Sequence, residues 1–482
     1  MLFVHYRILF VILFLIVGKS LAADTPTTKP NVLFIAVDDL NHWVGYLGRN
    51  PQTRTPNIDR LAARGVAFAN AQCAAPVCNP SRAALMSGLR PSTTGVYDNG
   101  QAWQPVIGKD KTLTTQFLAA GYNVFGTGKI YHGSAHRDGE WTEYFNPRSG
   151  GLRRHPSAKN DGVGGIKFAP LESDDQAMPD YKAVDYAIEK LNAQHDKPFF
   201  LAVGLVKPHM PWNVPKKYFD MFPLDKIELP PHSKDDLADV PPAGKRMANP
   251  DGDHARMLAS GRWKEAVQAY LATIAFSDAM IGRLIDALDK SPHRDNTIVV
   301  LWGDHGWHLG EKEHWRKFAL WEESTRTPLV WVAPGVTKFG GVCQRPVDLM
   351  TIYPTLCDLC GIATPTHVEG PSIRKLLADP QATWDQPALT TFHQNNHSLR
   401  DQRWRYIRYA NGDEELYDHV ADPYGWTNLA ADTKFDAVKA RLAKSIPKLN
   451  RNELPRAANR ARESGENPRR RAASGNANRA QP

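Results

Sequence analysis

The sequence predicts an α/β fold: a large central, mostly parallel sheet sandwiched by helices, plus a smaller C-terminal antiparallel sheet subdomain with a helix. Three observations predict it. Short apolar runs rich in β-branched residues alternate with segments of helical periodicity, the pattern of strands covered on both faces. From about Pro365 this gives way to short strand-like runs separated by turn residues. The length of 482 residues also exceeds the roughly 250–300 residues that one hydrophobic core serves.

Asn31 to Val37 is the first apolar run, and it ends at Asp38-Asp39. Acidic groups therefore stand at the C-terminal end of a buried strand, where open α/β sheets hold ligands. Asn57 to Arg64 reads as a helix stopped by Gly65, and Thr112 to Ala120 as another stopped by Gly121, with a strand from Tyr122 to Phe125. Tyr181 to Ala193 is amphipathic, Pro198 to Val206 a second strongly apolar strand, and Trp263 to Lys290 a long helix. Thr297 to Trp302 is a further buried strand running into Gly303-Asp304-His305-Gly306, and Pro328 to Val332 follows as another. Pro230 to Pro250 is Pro-rich and polar and reads as a surface loop; Val347 to Gly361 reads as a helix. In the C-terminal part, Ala388 to Phe392, Trp404 to Tyr409 and Glu415 to Tyr417 read as strands. Asn411-Gly412 is the turn between the last two, and a helix near Asp432 to Leu449 closes the unit.

The two ends differ from the body. Residues 1–22 read as a signal peptide: Arg7, the apolar run Ile8 to Val17, then Ser20-Leu21-Ala22, a run too short to span a bilayer. That predicts an exported protein, periplasmic or secreted, without stable membrane insertion. Residues 23–364 are assigned to a catalytic α/β domain, 365–450 to the C-terminal subdomain and 451–482 to a disordered basic tail, rich in Arg, Ala, Asn and Gly. Of the formal net charge of +8, +2 lies in the presumed signal peptide and +5 in the tail. The body is therefore not a basic surface for nucleic acid, and a solvated tail is favoured over one that touches an anionic polymer or envelope. The cysteines are Cys73, Cys78, Cys343, Cys357 and Cys360, an odd count that leaves a thiol unpaired in an exported protein. Cys357 and Cys360 read as small apolar residues facing a core rather than as a redox or metal pair.

The most specific chemical signal is Cys78-Asn79-Pro80-Ser81-Arg82, continuing Ala83-Ala84-Leu85-Met86-Ser87-Gly88. Pro80 suits the first turn of a helix, where a missing N–H is harmless. Cys78 then sits at a helix N-terminus, where N–H groups and the dipole favour an anion, with Arg82 one turn along the same face. Asp38-Asp39 and Asp304-His305 both follow apolar strands and so can meet at one rim of the sheet. Three carboxylates and an imidazole form a hard, mostly oxygen site that suits Ca²⁺ better than Zn²⁺. Gly128-Lys129-Ile130-Tyr131-His132 and Lys207-Pro208-His209-Met210-Pro211 follow two further strands, and Lys317 stands in Glu313-His314-Trp315-Arg316-Lys317. The prolines at 208 and 211 enforce a loop that presents His209 outward.

The Cys-x-Pro-Ser-Arg core followed by a small-residue helix resembles the signature of the formylglycine-dependent sulfatases, in the alkaline-phosphatase-like superfamily. The other markers appear in family order from Asn31 to about Leu429. The stretch Gly303-Asp304-His305-Gly306-Trp307-His308-Leu309-Gly310-Glu311, with Trp315 and Lys317, looks most like the iduronate-2-sulfatase branch, where His replaces the amide that many members carry at position 305. The resemblance implies oxidation of Cys78 to formylglycine by a formylglycine-generating enzyme. It implies a hydrated aldehyde whose one hydroxyl attacks sulfur while the other expels sulfate. It implies one Ca²⁺ on Asp38, Asp39, Asp304, His305 and the residue at 78. Arg82, Lys129 and Lys317 would stabilise sulfate charge, and His132 and His209 would move protons. The implied substrate is a sulfated carbohydrate, by branch an acidic sugar with a 2-O-sulfate. Arg153 to Ala169, Gly-rich and basic, has no counterpart in the resemblance and is a candidate for the substrate mouth.

Two other readings compete with this one. A phosphohydrolase of the same superfamily uses Ser or Thr as nucleophile with two zinc ions, against which Cys78 and a single evident metal set argue. A non-catalytic binder of sulfated glycans would keep the fold and lose the chemistry, against which the intact motif set argues.

Overall fold

The computed structural model describes residues 29–133, 137–147 and 161–457. The expected signal peptide, the tail beyond Ala457 and part of the Arg153 to Ala169 segment lie outside the described residues. The central sheet has eight strands: β1 (Asn31–Val37), β2 (Val66–Phe68), β3 (Asn123–Gly128), β4 (Glu143–Phe145), β5 (Phe199–Leu205), β6 (Thr297–Gly303), β7 (Leu329–Val332) and β8 (Gly341–Cys343). Their order is β8-β2-β7-β6-β1-β5-β3-β4. From β6 through β1, β5 and β3 to β4 all pairs are parallel, as is β8 with β2.

Among the helices are α1 (Pro56–Ala63), α2 (Cys78–Ser87), α3 (Leu113–Ala119), α4 (Pro179–Asn192), α5 (Pro242–Ala248), α6 (Trp263–Lys290), α7 (Ile352–Leu359) and α8 (Asp436–Ala443). Strand alternation assigns them to layers. Leu33, Ile35 and Val37 of β1 join one core with α1, α4 and α6. Val32, Phe34 and Ala36 join the other with α2, α3 and α7. All seven residues of β1 are buried, so the strand is apolar throughout rather than alternating. Each large apolar side chain so buried contributes about 1.5–3 kcal/mol.

A separate antiparallel sheet, β9 (Ala388–Thr391), β10 (His397–Arg400), β11 (Trp404–Arg408) and β12 (Glu414–Asp418), follows in simple up-and-down order. It carries α8 on one side through Leu389, Leu399, Leu416 and Leu442. Its other side meets the body through Ile407, Tyr409, Tyr417, Trp321 and Val77.

The central sheet is mostly parallel, as expected, with β7 antiparallel to both neighbours, because the chain returns from β6 along the same edge of the sheet without a crossover helix, which a parallel pairing requires. Other expectations need correction. Residues 230–250 are not merely a loop: Pro242 starts α5, a position where its ring is tolerated. Buried Asp236 there pairs with Lys312 at 2.5 Å. The helix expected from Val347 begins only at Ile352, since Val347–Asp348 forms a short strand beside Ala71–Gln72. β10 went unread because His-Ser-Leu-Arg carries one apolar residue. The helix expected near Asp432 to Leu449 is confined to α8. Cys357 and Cys360 are both buried, unbridged and part of the core. No described helix is long and apolar enough to cross a membrane.

Candidate active site

Adjacent strands β6, β1, β5 and β3 end at one edge, and the residues after each converge there. β1 delivers Asp38 and Asp39, β6 delivers Asp304 and His305, β3 delivers Lys129, and β5 leads into Lys207 and His209. The edge is bound together by backbone. Asp38 N–H donates to Leu205 O at 3.1 Å, and Asp304 N–H to Val37 O at 3.2 Å. Lys129 N–H donates to Gly204 O at 2.8 Å. A Cβ on Gly204 would stand 2.2 Å from the backbone of Lys129, so glycine is what allows β3 and β5 to close at this point. Asp39 adopts a left-handed φ of 60°, unusual outside glycine. Its N–H donates to Asp304 Oδ1 at 3.0 Å, and its carbonyl accepts from Tyr270 Oη at 2.7 Å.

Cys78 is the first residue of α2 and is fully buried. Lys317 Nζ lies 2.9 Å from its Sγ, His305 Nε2 3.3 Å and Asp39 Oδ1 3.8 Å. Lys317 Nζ also donates to Asp39 Oδ1 at 2.7 Å. Asp38 accepts from Lys129 and, at 3.2 Å, from Arg82 Nη2. Arg82 Nε donates to Asp304 Oδ2 at 2.7 Å, and Nη1 donates to the carbonyls of Lys129 and Ile130. The contacts of Arg82 thus brace the acidic residues and the β3 end. His132 lies against Cys78 with its Nδ1 buried and without a hydrogen-bond partner. His209, at 32% side-chain exposure, is the group turned to solvent, its Nε2 3.9 Å from Asp39 Oδ2 and 4.0 Å from Asp38 Oδ2. The nine other residues expected at the site therefore gather around Cys78.

The charges are interdependent. Burial opposes ionisation of the Cys78 thiol, yet Lys129, Lys317 and His305 outweigh it and hold the thiol well below its ordinary value. Burial likewise opposes charging of His305, but Asp304 and Cys78 bring it up to about 9. His132 moves the other way, lowered chiefly by burial, which keeps its imidazole neutral and able to accept a proton. Burial raises Asp304 to about 6, against the pull of Arg82 and His305.

The donor set fits a hard cation. Ligand atoms of Asp38, Cys78, Asp304 and His305 lie within 4.8 Å of one another, as do those of Asp38, Asp39, Cys78 and His209. Asp39 Oδ2 is buried without a hydrogen-bond partner, and such a group calls for an ion or water. Three carboxylates among these donors give the set the oxygen-rich character that a hard cation takes.

Three contributors receive no role at the site from the sequence, although Trp307 stands in the branch-like stretch. Tyr270, deep in α6, ties the carbonyl of Asp39 to the N–H of Asn41, and nothing in a helical apolar stretch marks it. Trp307 lies under Lys317, its ring centroid 5.6 Å from Nζ. Asn99 accepts from the N–H of Asn79 at 2.9 Å, and Pro80 has no N–H. The first turn of α2 is therefore more occupied than an open anion site would be.

Comparison with known proteins agrees with this geometry. The Sulfatase family matches residues 30–362, and the C-terminal family of N-sulphoglucosamine sulphohydrolase matches 310–452. A protein of Formosa agariphila named Sulfatase is 40% identical over 450 residues, covering 88% of this chain and 87% of that one. Human iduronate 2-sulfatase is 30% identical over 403 residues, covering 74% and 73%. A structure solved with its substrate D-glucosamine-2-N,6-O-disulfate superposes with a TM-score of 0.70 at 22% identity, over 86% of this chain and 96% of that one, a likeness of fold. With the Cys78 signature, the ring of carboxylates and a family match across most of its length, the chain belongs to the sulfatase family.

Proposed function

We propose that this chain is a sulfuric ester hydrolase that removes sulfate from a sulfated sugar with a nucleophile made from Cys78. The observation that carries the reading is the set of contacts to Cys78 Sγ: Lys317 at 2.9 Å, His305 at 3.3 Å and Asp39 at 3.8 Å, at the N-terminus of a buried helix. Formylglycine at this position would supply a hydrated aldehyde that the cysteine lacks, and Ca²⁺, held by Asp38, Asp39, Asp304, His305 and the residue at 78, would supply neutralisation of sulfate charge.

The remaining chemistry belongs to the chain. Lys317 and Lys129 place ammonium groups where sulfate oxygens gather charge. Arg82, with no exposure, fixes the carboxylates of Asp38 and Asp304. His132 accepts the proton whose removal lets sulfate leave, and His209, open to solvent, donates one to the departing sugar oxygen. Maturation requires a formylglycine-generating enzyme, and the expected division at residue 364 places every one of these groups on the catalytic side.

For the substrate, the identity with human iduronate 2-sulfatase and the fold shared with a protein whose substrate is a disulfated glucosamine support a sulfated, acidic sugar. The reading extends to iduronate-2-sulfatase-like exo-action on a glycosaminoglycan or other acidic polysaccharide, by an exported enzyme. The first test is the mass of the tryptic peptide 65–82 from protein purified from its native source. Formylglycine or its hydrate at 78 is expected; an unmodified thiol there removes the nucleophile and the proposal with it. A panel of sulfated disaccharides then tests the substrate: turnover of neutral sulfated sugars with none of a uronate 2-O-sulfate ends the iduronate-like part.

A further inference from the structure

The helix bearing Cys78 lacks a side-chain cap of its own, since Val77 precedes it, and helix N-termini need external acceptors. The loop 97–101 supplies them. Asn79 N–H donates to Asn99 Oδ1 at 2.9 Å, and Asn79 Nδ2 donates to the carbonyls of Asp98 at 2.9 Å and Gln101 at 2.8 Å. Those contacts fix the residue next to the nucleophile. The loop is shaped in turn by Gln101, whose Oε1 accepts from the N–H groups of Tyr97 and Asp98. Asp98 Oδ1 accepts from Gly100 N–H at 2.6 Å.

The outer side of this loop is held by the chain's far end. Residues 451–457 run along residues 92–101 as an extended strap. Arg451 N–H donates to Ser92 O at 2.8 Å, Leu454 N–H to Gly95 O at 3.0 Å and Ala457 N–H to Gly100 O at 2.9 Å. Tyr97 Oη donates to Arg451 O at 2.9 Å, and Gln101 Nε2 to Leu454 O at 2.7 Å. Arg456 closes the strap on Asp98 Oδ2, with Nε at 2.7 Å and Nη2 at 2.5 Å. Gln101 and Asp98 are almost fully buried, so the inner ends of these links are shielded from water, while the Arg456 side chain is 27% exposed. The strap also reaches the opposite wall of the site. Glu453 Oε1 lies 2.9 Å from His393 Nδ1. The His393 ring packs on Phe392 at 4.4 Å, and Phe392 faces Phe318, the neighbour of Lys317, at 6.4 Å. The C-terminal family match stops at residue 452, so most of the strap lies beyond it.

We propose that residues 451–457 are a positioning strap that clamps the nucleophile's helix cap, with Arg456 and Gln101 as positioning residues acting through Asp98, Asn99 and Asn79. The inference rests on Cys78 being the source of the nucleophile. The strap adds nothing to substrate binding and instead holds the nucleophile and Lys317 in register, which shows in kcat.

The test compares wild type with Arg456→Ala, Arg456→Lys and truncations after Asn450 and after Ala457, each checked by mass for formylglycine occupancy and by thermal unfolding. With a small sulfated sugar, Arg456→Ala is expected to lower kcat about tenfold per formylglycine, with KM within about twofold. Arg456→Lys is expected to recover part of it, and truncation after Ala457 to leave kcat unchanged. Truncation after Asn450 is expected to speed amide exchange in residues 97–101 at least tenfold under native conditions. Wild-type kcat in Arg456→Ala, or a loss matching only the loss of folded protein, overturns the proposal; if the truncated chain fails to fold, Arg456→Ala decides alone. If wild type itself releases no sulfate, the reading of the site has failed instead. Amide exchange in Arg456→Ala then judges the strap: unchanged protection of 97–101 overturns it, and faster exchange there supports it.

Discussion

Two regions of this molecule bury clusters of charge, and they do so in opposite ways. At the sheet edge three carboxylates surround a cysteine; at the seam with the C-terminal sheet one carboxylate, Glu322, is surrounded by Arg326, Arg400, Arg405 and His419. Each region contains a buried histidine, and the two shift apart. His305, among carboxylates, is raised to about 9, whereas His419, lowered first by burial and then by Arg400 and Arg405, falls to about 3. The seam is bonded through Arg405, which donates to Ser398 Oγ at 2.6 Å, Leu320 O at 3.1 Å and Gln72 Oε1 at 3.1 Å, and like the sheet edge it keeps buried polar atoms without a hydrogen-bond partner: Arg326 Nε, Arg405 Nε and His419 Nε2. None of Glu322, Arg326, Arg400 and Arg405 has positive φ, while Asp39, Arg316 and Phe318 at the sheet edge all do. Buried charge alone therefore does not mark a reaction centre. What sets the sheet edge apart is convergence on one cysteine together with backbone at positive φ.

The comparison breaks most sharply at Cys78. Cys78→Ala is expected to lower sulfate release by about 10⁴-fold or more, as loss of a nucleophile does, with the thermal midpoint within a few degrees of wild type. Activity surviving in that variant would move the nucleophile elsewhere. Next in size is Glu322→Gln. Removing the one anion among buried cations is expected to cost about 3–5 kcal/mol of stability, read from urea unfolding, while kcat of the folded fraction stays within about twofold. A seam variant that unfolds normally yet loses turnover would show that the seam is part of the reaction machinery. Lys317→Ala follows, its effect on kcat falling between those of Cys78→Ala and Glu322→Gln. It removes the ammonium that touches both Cys78 and Asp39, and by analogy with a lost oxyanion donor kcat should fall about 10²–10³-fold. An unchanged kcat with raised KM would make Lys317 a binding group only.

The two regions also differed in how far the sequence disclosed them. The sheet edge was legible because each of its groups follows an apolar strand, and strand ends are places where side chains must converge: Asp38 after Val37, Asp304 after Gly303, Lys129 after Gly128. The long helix from Trp263 to Lys290 was read to the residue, its periodicity sustained over many turns. The seam was not legible. Glu322, Arg400 and Arg405 are far apart in sequence, and β10 has too few apolar residues to announce a buried strand. The direction of β7 depends on the path of the connection rather than on its own residues. Asn99 and Tyr270 act through contacts that no local pattern encodes, and Arg456 was read only as part of a basic tail.

The smallest expected effect isolates His419. An unfolded histidine titrates near 6.5, and this one, folded, near 3. Between those values the unfolded chain holds a proton that the folded chain does not, so stability rises with pH across that window and is lost on acidification. From pH 7 to pH 5 the loss from this residue is about 2 kcal/mol. Its Nε2 is 3.9 Å from Glu322 Oε2, a distance at which a lone carboxylate would raise the imidazole. Burial together with Arg400 and Arg405 outweighs that carboxylate, so the imidazole stays neutral. His419→Gln should flatten the pH dependence of the urea midpoint over this range and leave the pH dependence of kcat as it was. If the slope of the variant equals that of wild type, the seam's acid sensitivity comes from the carboxylates, and the contrast between the two histidines loses its energetic meaning.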